Sequence, residues 1–281
     1  MPERRAAVAG IVTLTTDFGL RDAYVAEMKG VMLGIAHAAG RALCLVDVTH
    51  EVARHDVTEA ALALEAAVPR FPPGTVHLAV VDPGVGTARR ALAVAAAGAV
   101  LVGPDNGLFT PFLAGGDWRA FELTESAYRL PVVSRTFHGR DVFAPAAAHL
   151  ALGLDPERLG PPVPDPVRLP WPEVREVAGA VAGAVVHTDR FGNLITSIHL
   201  SGVPEDIGGL VIRVGGQSVR LVGTYADLDP GALGALVGSS GRLEIAVREG
   251  SAAARLRAGR GTPVLVSRRT SSSRRRPRSR A

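Results

Sequence analysis

The sequence predicts an α/β fold in two parts: an N-terminal α/β domain with a mainly parallel sheet, and a smaller C-terminal domain of antiparallel β-structure. In the first part, apolar strand-like runs alternate with segments of helical spacing, which is typical of a parallel sheet covered on both faces. Six prolines then fall within residues 160–172 and indicate a semi-rigid linker. The short β-rich runs that follow, separated by glycine turns, indicate a small barrel or sandwich.

The domain boundaries follow from these changes in composition. We place the N-terminal domain at residues 8–160, the linker at 161–172, the C-terminal domain at 173–267 and an arginine-rich tail at 268–281. The tail holds seven arginines and no acidic residue, so we expect it to be disordered. Without these seven charges the net charge of +4 becomes −3, so the folded part is not basic. Nucleic acid is therefore not an expected partner, except as an alternative through the tail.

Strands and helices alternate in the predicted N-terminal domain. Its strands are apolar runs at 8–16, 43–48, 75–81, 91–96 and 100–102. Its helices have apolar residues at helical spacing and cover 23–38, 57–68 and 144–152. Asp22 and Asp56 are expected to cap the first two helices. The β-rich runs of the C-terminal domain lie at 180–188, 210–214, 219–222, 243–247 and 263–266.

Cysteine usage and hydropathy bear on the compartment. Cys44 is the single cysteine and lies in an apolar run, so we expect it to be buried and unreactive. A chain without disulfides fits a reducing compartment, which favours a cytoplasmic location. No apolar run is long enough to span a bilayer, so no membrane partner is expected.

The loop between the third and fourth predicted strands carries the first functional signal. Asp82 leaves the strand end, a proline and two glycines turn the chain, and Arg89 returns seven residues later. Ligands of open α/β sheets bind outside the carboxyl ends of the strands, so these two side chains could face one pocket. The alternative is a tight turn in which Asp82 caps the loop and the arginines are solvated.

Polar clusters interrupt other predicted strands at their ends, and each has a structural alternative. Asp17 could cap the first helix, and residues 105–107 form a good turn sequence. His138 could be a helix residue without a task. Residues 189–193 could be a hairpin turn, and residues 238–241 could be a flexible loop.

Several standard chemistries are excluded by their missing motifs. The chain has no Gly-x-Gly-x-x-Gly opening the first helix, no phosphate-binding loop and no Gly-x-Ser-x-Gly elbow, and Lys29 is its only lysine. His50 and His55 are five residues apart, which is the wrong interval for the His-Glu-x-x-His zinc site. Metal catalysis is therefore not expected.

Six motifs, in order across both domains, resemble one family. They are residues 14–19 (LTTDFG), 81–87 (VDPGVGT) with Arg89, 103–107 (GPDNG), 136–141 (TFHGRD), 189–193 (DRFGN) and 239–246 (SSGRLEIA). They resemble the S-adenosylmethionine (SAM) hydroxide adenosyltransferases, also called adenosine-forming SAM hydrolases, which are relatives of fluorinase and chlorinase enzymes. The resemblance covers residues 10–267.

The resemblance implies cleavage of SAM at the ribose C5′ by hydroxide, releasing L-methionine and adenosine. It implies a catalytic trio of Asp82, Arg89 and His138, and the halogenase relatives carry other residues at the Asp and His places. The trio therefore favours water over halide as nucleophile. SAM is the substrate, and no metal or other cofactor is expected. The family fold joins an α/β domain to a C-terminal β-barrel domain, in homotrimers whose sites lie between neighbouring subunits.

Substrate-binding roles also come from the resemblance. Asp17 would accept hydrogen bonds from the ribose hydroxyls, and Asp189 would pair with the methionine ammonium. The methionine carboxylate would meet Ser239 and Ser240, although the fluorinase type has an arginine where this chain has Ser240. The remaining substrate-binding residues are the adenine contacts Phe191, Asn193 and Val247, together with Glu244.

The expected chemistry suits these residue types. Methionine leaves SAM as a neutral thioether and needs no general acid, so the difficulty lies in activating and aiming a water molecule. Asp82 and His138 would hold and polarise that water, while Arg89 fixes Asp82, and either of the first two could take the proton. The alternatives are a SAM-dependent halogenase and a non-catalytic SAM or nucleoside-binding protein.

Overall fold

The computed structural model describes residues 10–171, 173–200 and 209–268. Along the chain they divide into two compact units, one ending at Pro170 and the other beginning at Trp171. Within these described ranges, no helix is both long enough and apolar enough to cross a membrane. The predicted tail beyond residue 268 lies outside the described residues.

The first unit is built on a six-stranded sheet in the order β2-β1-β3-β5-β4-β6. Its strands are β1 (Ile11–Thr16), β2 (Cys44–Thr49), β3 (Val76–Val80), β4 (Ala91–Ala96), β5 (Ala99–Pro104) and β6 (Trp118–Glu122). Strands β2, β1, β3 and β5 pair in parallel, whereas β4 is antiparallel to both of its neighbours. This arrangement confirms the predicted mainly parallel sheet.

Helices cover both faces of this sheet. They are α1 (Tyr24–Ala38), α2 (Val57–Ala67) and α3 (Ala144–Ala151). Because side chains alternate along a strand, Leu78 of β3 joins the core with α1 and α3, whereas its neighbour Ala79 joins the core with α2. The sheet is therefore buried on both sides, as its nearly continuous apolar strands indicate.

Two local expectations were wrong and one was right. Asp56 caps α2, because its side chain accepts a hydrogen bond from Glu59 N at 2.9 Å. Helix α1 instead begins after Ala23 with no side-chain cap, so Asp22 is not its N-cap. Cys44 is exposed rather than buried, because β2 is an edge strand of the sheet.

Residues 161–170, predicted as part of a linker, lie on the surface of the first unit. Val163 N donates to Ala120 O at 2.8 Å, and Val167 N donates to the Asp105 carboxylate at 2.7 Å. Arg90 bridges Asp105 and Asp165 from its opposite ends, at 2.7 Å to each. The segment is therefore held to the first unit by the backbone amides of Val163 and Val167 and by the carboxylate of Asp165.

The second unit is an antiparallel sheet that nearly closes into a barrel. Its strands are β7 (Arg175–Val177), β8 (Ala180–Thr188), β9 (Leu194–His199), β10 (Leu210–Val214), β11 (Gln217–Arg220), β12 (Leu233–Val237), β13 (Arg242–Val247) and β14 (Pro263–Arg268). Seven of them follow the order β11-β10-β14-β8-β9-β13-β12, and β7 pairs with β8. A bridge between Leu221 and Ala235 joins the two ends, and the short helix α4 (Ala252–Leu256) packs near β13. The barrel alternative is confirmed.

Candidate active site

The loop after β3 folds so that an arginine returns onto the aspartate that begins it. Thr87 N donates to Gly84 O at 3.1 Å, which tightens the turn. Arg89 Nε then lies 2.9 and 3.0 Å from the two Asp82 carboxylate oxygens, and Nη2 also donates to Asp82. The two side chains are only 10% and 6% exposed. The solvated-arginine alternative for Arg89 is therefore wrong.

His138 completes this cluster from a distant part of the chain. It directly precedes a single π-helical turn, Gly139–Phe143, that leads into α3, and such turns are frequent at functional sites. Arg89 Nη2 lies 2.9 Å from His138 Nδ1. Since guanidinium only donates, Nδ1 must accept, and the neutral ring carries its proton on Nε2. Burial, and then the positive charge of Arg89, lowers the pKa of His138.

A cavity of about 320 Å³ lies at this cluster. Asp82 and His138 line it together with Asp17, which follows β1. The carboxylate of Asp17 accepts a hydrogen bond from His55 N at 2.9 Å, and His55 holds a left-handed φ of 65°. Left-handed backbone at residues other than glycine clusters at functional sites.

Three aromatic side chains to which the sequence analysis gave no role form one wall of this cavity. The rings of Phe18, Tyr24 and Phe137 contact one another pairwise, with centroids 5.2 to 5.9 Å apart. Aromatic faces attract cations, so this wall suits a positively charged ligand. Of the three, only Tyr24 lies in a helix, where apolar spacing would assign it to the core.

In the second unit, Asp189 shapes the turn between β8 and β9. Its carboxylate accepts hydrogen bonds from Phe191 N at 2.9 Å, from Asn193 N at 2.8 Å and from Asn193 Nδ2 at 2.9 Å. Residues 189–193 therefore form the hairpin turn that the sequence analysis gave as their structural alternative. The turn leaves Phe191 77% exposed.

A second cavity, of about 550 Å³, lies beside this turn within the second unit. Phe191, Asn193 and Val247 line it, as does Tyr225, which the sequence analysis missed. The only local signal near Tyr225 is the spacing of Thr224 and Asp227, which is typical of a capped turn and not of a ligand contact.

Glu244 lies behind Tyr225. The Tyr225 hydroxyl donates to Glu244 Oε2 at 3.0 Å, and burial followed by this hydrogen bond raises the pKa of Tyr225 to about 12. Burial also raises the pKa of Glu244. Ser239 and Ser240 are exposed in the turn between β12 and β13, where Gly241 N donates to Gly238 O at 2.9 Å.

Comparison with known proteins places these residues in a family. The profile of the SAM hydroxide adenosyltransferase N-terminal domain matches residues 12–160, and that of the C-terminal domain matches residues 183–265. The chain belongs to the SAM hydroxide adenosyltransferase family.

Two relatives of this chain with one shared name cover most of its length. A Thermus thermophilus protein called (R)-S-adenosyl-L-methionine hydrolase is 47% identical over 91% of this chain and 98% of its own. A protein of the same name from Salinispora tropica is 44% identical over 86% of this chain and 92% of its own. A more distant fluorinase from an Actinoplanes species is 31% identical over 67% of this chain and 72% of its own.

Solved structures agree with the fold of this family member. The crystal structure of an uncharacterized conserved protein from Thermotoga maritima has a TM-score of 0.83 at 34% identity and covers 92% of this chain and 100% of that one. Within the described ranges, no three His, Cys, Asp or Glu residues are grouped to hold a metal ion.

The first unit of this family member thus gathers Asp17, Asp82, Arg89 and His138, which are separated in the sequence. Asp105 and Asn106 of the third motif have structural contacts: Asp105 pairs with Arg90, and Asn106 Nδ2 donates to Val81 O at 2.9 Å. The second unit gathers the three predicted adenine contacts at its own cavity.

Proposed function

We propose that this chain hydrolyses S-adenosyl-L-methionine at the ribose C5′, releasing adenosine and L-methionine. The observation that carries the proposal is the arginine that bonds both an aspartate and a histidine at one cavity. Relatives at 39 to 47% identity named as hydrolases of (R)-S-adenosyl-L-methionine support it. Because L already specifies the amino-acid carbon, R refers to the sulfonium, and we propose that epimer as the preferred substrate.

The chain's own residues suffice for the proposed step. Water attacks C5′, the C5′–S bond breaks, and its electron pair leaves on the methionine thioether, so no leaving-group acid is needed. With Nδ1 of His138 occupied by Arg89, its Nε2–H is a donor for the oxygen of the nucleophile. The Asp82 carboxylate is then the acceptor for the proton of the water. Positioned acid–base groups of this kind contribute roughly 10²–10⁴-fold.

The substrate contacts remain proposals that the two cavities support. Asp17 would hold the ribose hydroxyls, and the aromatic wall of the first cavity would face the sulfonium cation. Phe191 and Tyr225 offer aromatic faces for the adenine, with Asn193 as a hydrogen-bonding partner. The residues proposed for the amino-acid end and its surroundings are Asp189, Ser239, Ser240 and Glu244.

The assembly and the compartment are further parts of the proposal. We propose a cyclic homotrimer with sites between subunits, which requires a head-to-tail interface. The division of the proposed contacts between two units, each with its own cavity, supports it. A cytoplasmic location is supported by the single cysteine, which is a free thiol. Light scattering that gives the mass of a monomer under assay conditions would contradict the trimer.

Product analysis tests the proposed reaction against its alternatives. Purified protein is incubated with each sulfonium epimer of SAM, in halide-free buffer and in buffer with chloride or fluoride, and products are identified by chromatography and mass. Adenosine and methionine in every buffer are expected. A 5′-halo-5′-deoxyadenosine would instead indicate a halogenase, the reaction of the fluorinase branch. SAM bound but unconverted would indicate a binding protein, and deletion of residues 268–281 would then test a nucleic-acid contact.

A further inference from the structure

Asp141 is a fully buried carboxylate that the proposed reaction does not use. It lies in the π-helical turn three residues after His138. Arg140 Nε donates to Asp141 Oδ1 at 2.6 Å, and Ser134 N donates to Oδ2 at 2.8 Å. A buried carboxylate is tolerated only with such partners, because its desolvation costs several kcal/mol. Its hydrogen-bond partners therefore show which groups this carboxylate holds in place.

The segment that Asp141 holds is residues 130–136. Besides the bond from Ser134 to its side chain, the backbone oxygen of Asp141 accepts Leu130 N at 2.9 Å. Asp141 N in turn donates to Phe137 O at 3.2 Å. Two hydrogen bonds, from Leu130 N and Ser134 N, thus tie this segment to Asp141 in the turn that follows His138.

The same segment contacts the loop that carries Asp82 and Arg89. Gly86 has a left-handed φ of 79°, and a Cβ atom built there would lie 2.6 Å from the carbonyl oxygen of Arg135. The loop therefore lies directly against the backbone of the segment, at a distance that only glycine permits. Residues 130–136 therefore contact both the loop of Asp82 and Arg89 and the turn that follows His138.

We propose that Asp141 is a positioning residue, which through residues 130–136 sets the distance between the loop of Asp82 and Arg89 and the turn of His138. The inference rests on the proposed function. The hydrogen bond that depends on this distance is the 2.9 Å contact between Arg89 Nη2 and His138 Nδ1, which joins the loop to the turn. Misplacement of catalytic groups by 1 Å can cost about 100-fold in rate.

Steady-state hydrolysis of SAM by Asp141→Asn tests the proposal against a matched control. Asp105 is also buried, also accepts an arginine Nε at 2.7 Å and also accepts a backbone amide at 2.7 Å, but it holds residues 165–167 instead. We expect kcat to fall about 10- to 100-fold in Asp141→Asn with KM within threefold of wild type. Asp105→Asn should lower the melting temperature similarly while its kcat stays within twofold.

Equal losses of kcat in both variants, or an unchanged kcat in Asp141→Asn, would overturn the inference. A wild type without turnover would instead overturn the proposed function. A double variant adds a readout that general destabilisation would not move. In the His138→Ala background, measured at high enzyme concentration, Asp141→Asn should change the residual kcat less than twofold, whereas a repeat of its full effect would contradict positioning of His138.

Gly86→Ala tests the segment from its other side and does not depend on the folding of Asp141→Asn. Its control is Gly116→Ala, where φ is 84° but no atom lies within 4 Å of the added Cβ. Both variants carry the same backbone strain, so only the contact with Arg135 differs. We expect a loss of kcat of at least tenfold in Gly86→Ala alone, and equal kcat values in the two variants would refute the contact's role.

Discussion

Replacing Arg89 by lysine separates the charge of this side chain from its geometry. Arg89 Nε lies 2.9 and 3.0 Å from the Asp82 oxygens, while Nη2 lies 2.9 Å from His138 Nδ1. Lysine keeps the positive charge but carries one ammonium group on a flexible stem, so it cannot hold both partners in this planar arrangement. Asp82 keeps a cationic neighbour in this variant. The variant therefore avoids the cost of removing one partner of a buried ion pair, which is about 4 kcal/mol.

The expected loss of kcat follows from the hydrogen bond that the substitution removes. The hydrogen bond from Arg89 to His138 is charge-assisted, and such bonds contribute about 1.5–3 kcal/mol. If that energy aligns the nucleophile in the transition state, kcat falls about 10- to 100-fold, since about 1.4 kcal/mol corresponds to tenfold. KM should change less, because Arg89 is not among the proposed substrate contacts.

The assay is the initial rate of adenosine formation, with thermal denaturation as a check on folding. Arg90→Lys is the matched control, because Arg90 is the next residue and donates to Asp105 and Asp165 at 2.7 Å each. Its kcat should stay within twofold of wild type. A kcat for Arg89→Lys within threefold of wild type would show that charge alone suffices and would refute the geometric argument.

Two further predictions concern histidines. Protonation of His138 Nδ1 would break its bond from Arg89, and burial and then the Arg89 charge lower its pKa. We therefore expect kcat/KM to decline as pH falls through a value below 6.5, and a pH–rate profile with its acidic midpoint above 6.5 would contradict this. Burial lowers the pKa of His77 to about 4, so the unfolded chain binds more protons between about pH 6.5 and 4. As pH drops through that range, His77 should cost about 3 kcal/mol of unfolding free energy; denaturant titrations that show the same pH dependence in His77→Gln would disprove this.

Most of the helices and strands could be predicted from local patterns in the sequence. The apolar runs that became β1, β3 and β5 and the helical spacing of α1 and α2 are properties of neighbouring residues, so they could be predicted from the sequence. Strand β6 escaped prediction because its order comes from pairing with β4, which is distant contact rather than local pattern. Cys44 was placed in a strand correctly but its burial was not, since burial depends on the position of β2 at the sheet edge.

Some contacts of the candidate site could likewise be predicted from the sequence, and others could not. Asp82 and Arg89 are seven residues apart on one loop, and the sequence alone could predict that they face each other. His138 is 49 residues from Arg89, and no local pattern states that Nδ1 and Nη2 approach to 2.9 Å. Tyr225 lies in none of the six motifs. Asp141 ends the fourth motif, but its hydrogen bond from Ser134 N could not be predicted from that motif.

The sequence by itself therefore determined the elements, the family motifs and the residue types available for chemistry, because these depend on spacing along the chain. The tertiary structure decided which of those residues meet. It joined Arg89 to His138, bound residues 130–136 between Asp141 and Gly86, and left Phe191 exposed beside Tyr225. Packing brings together residues that are distant in the chain, and the free energy of those contacts is not encoded by any single segment.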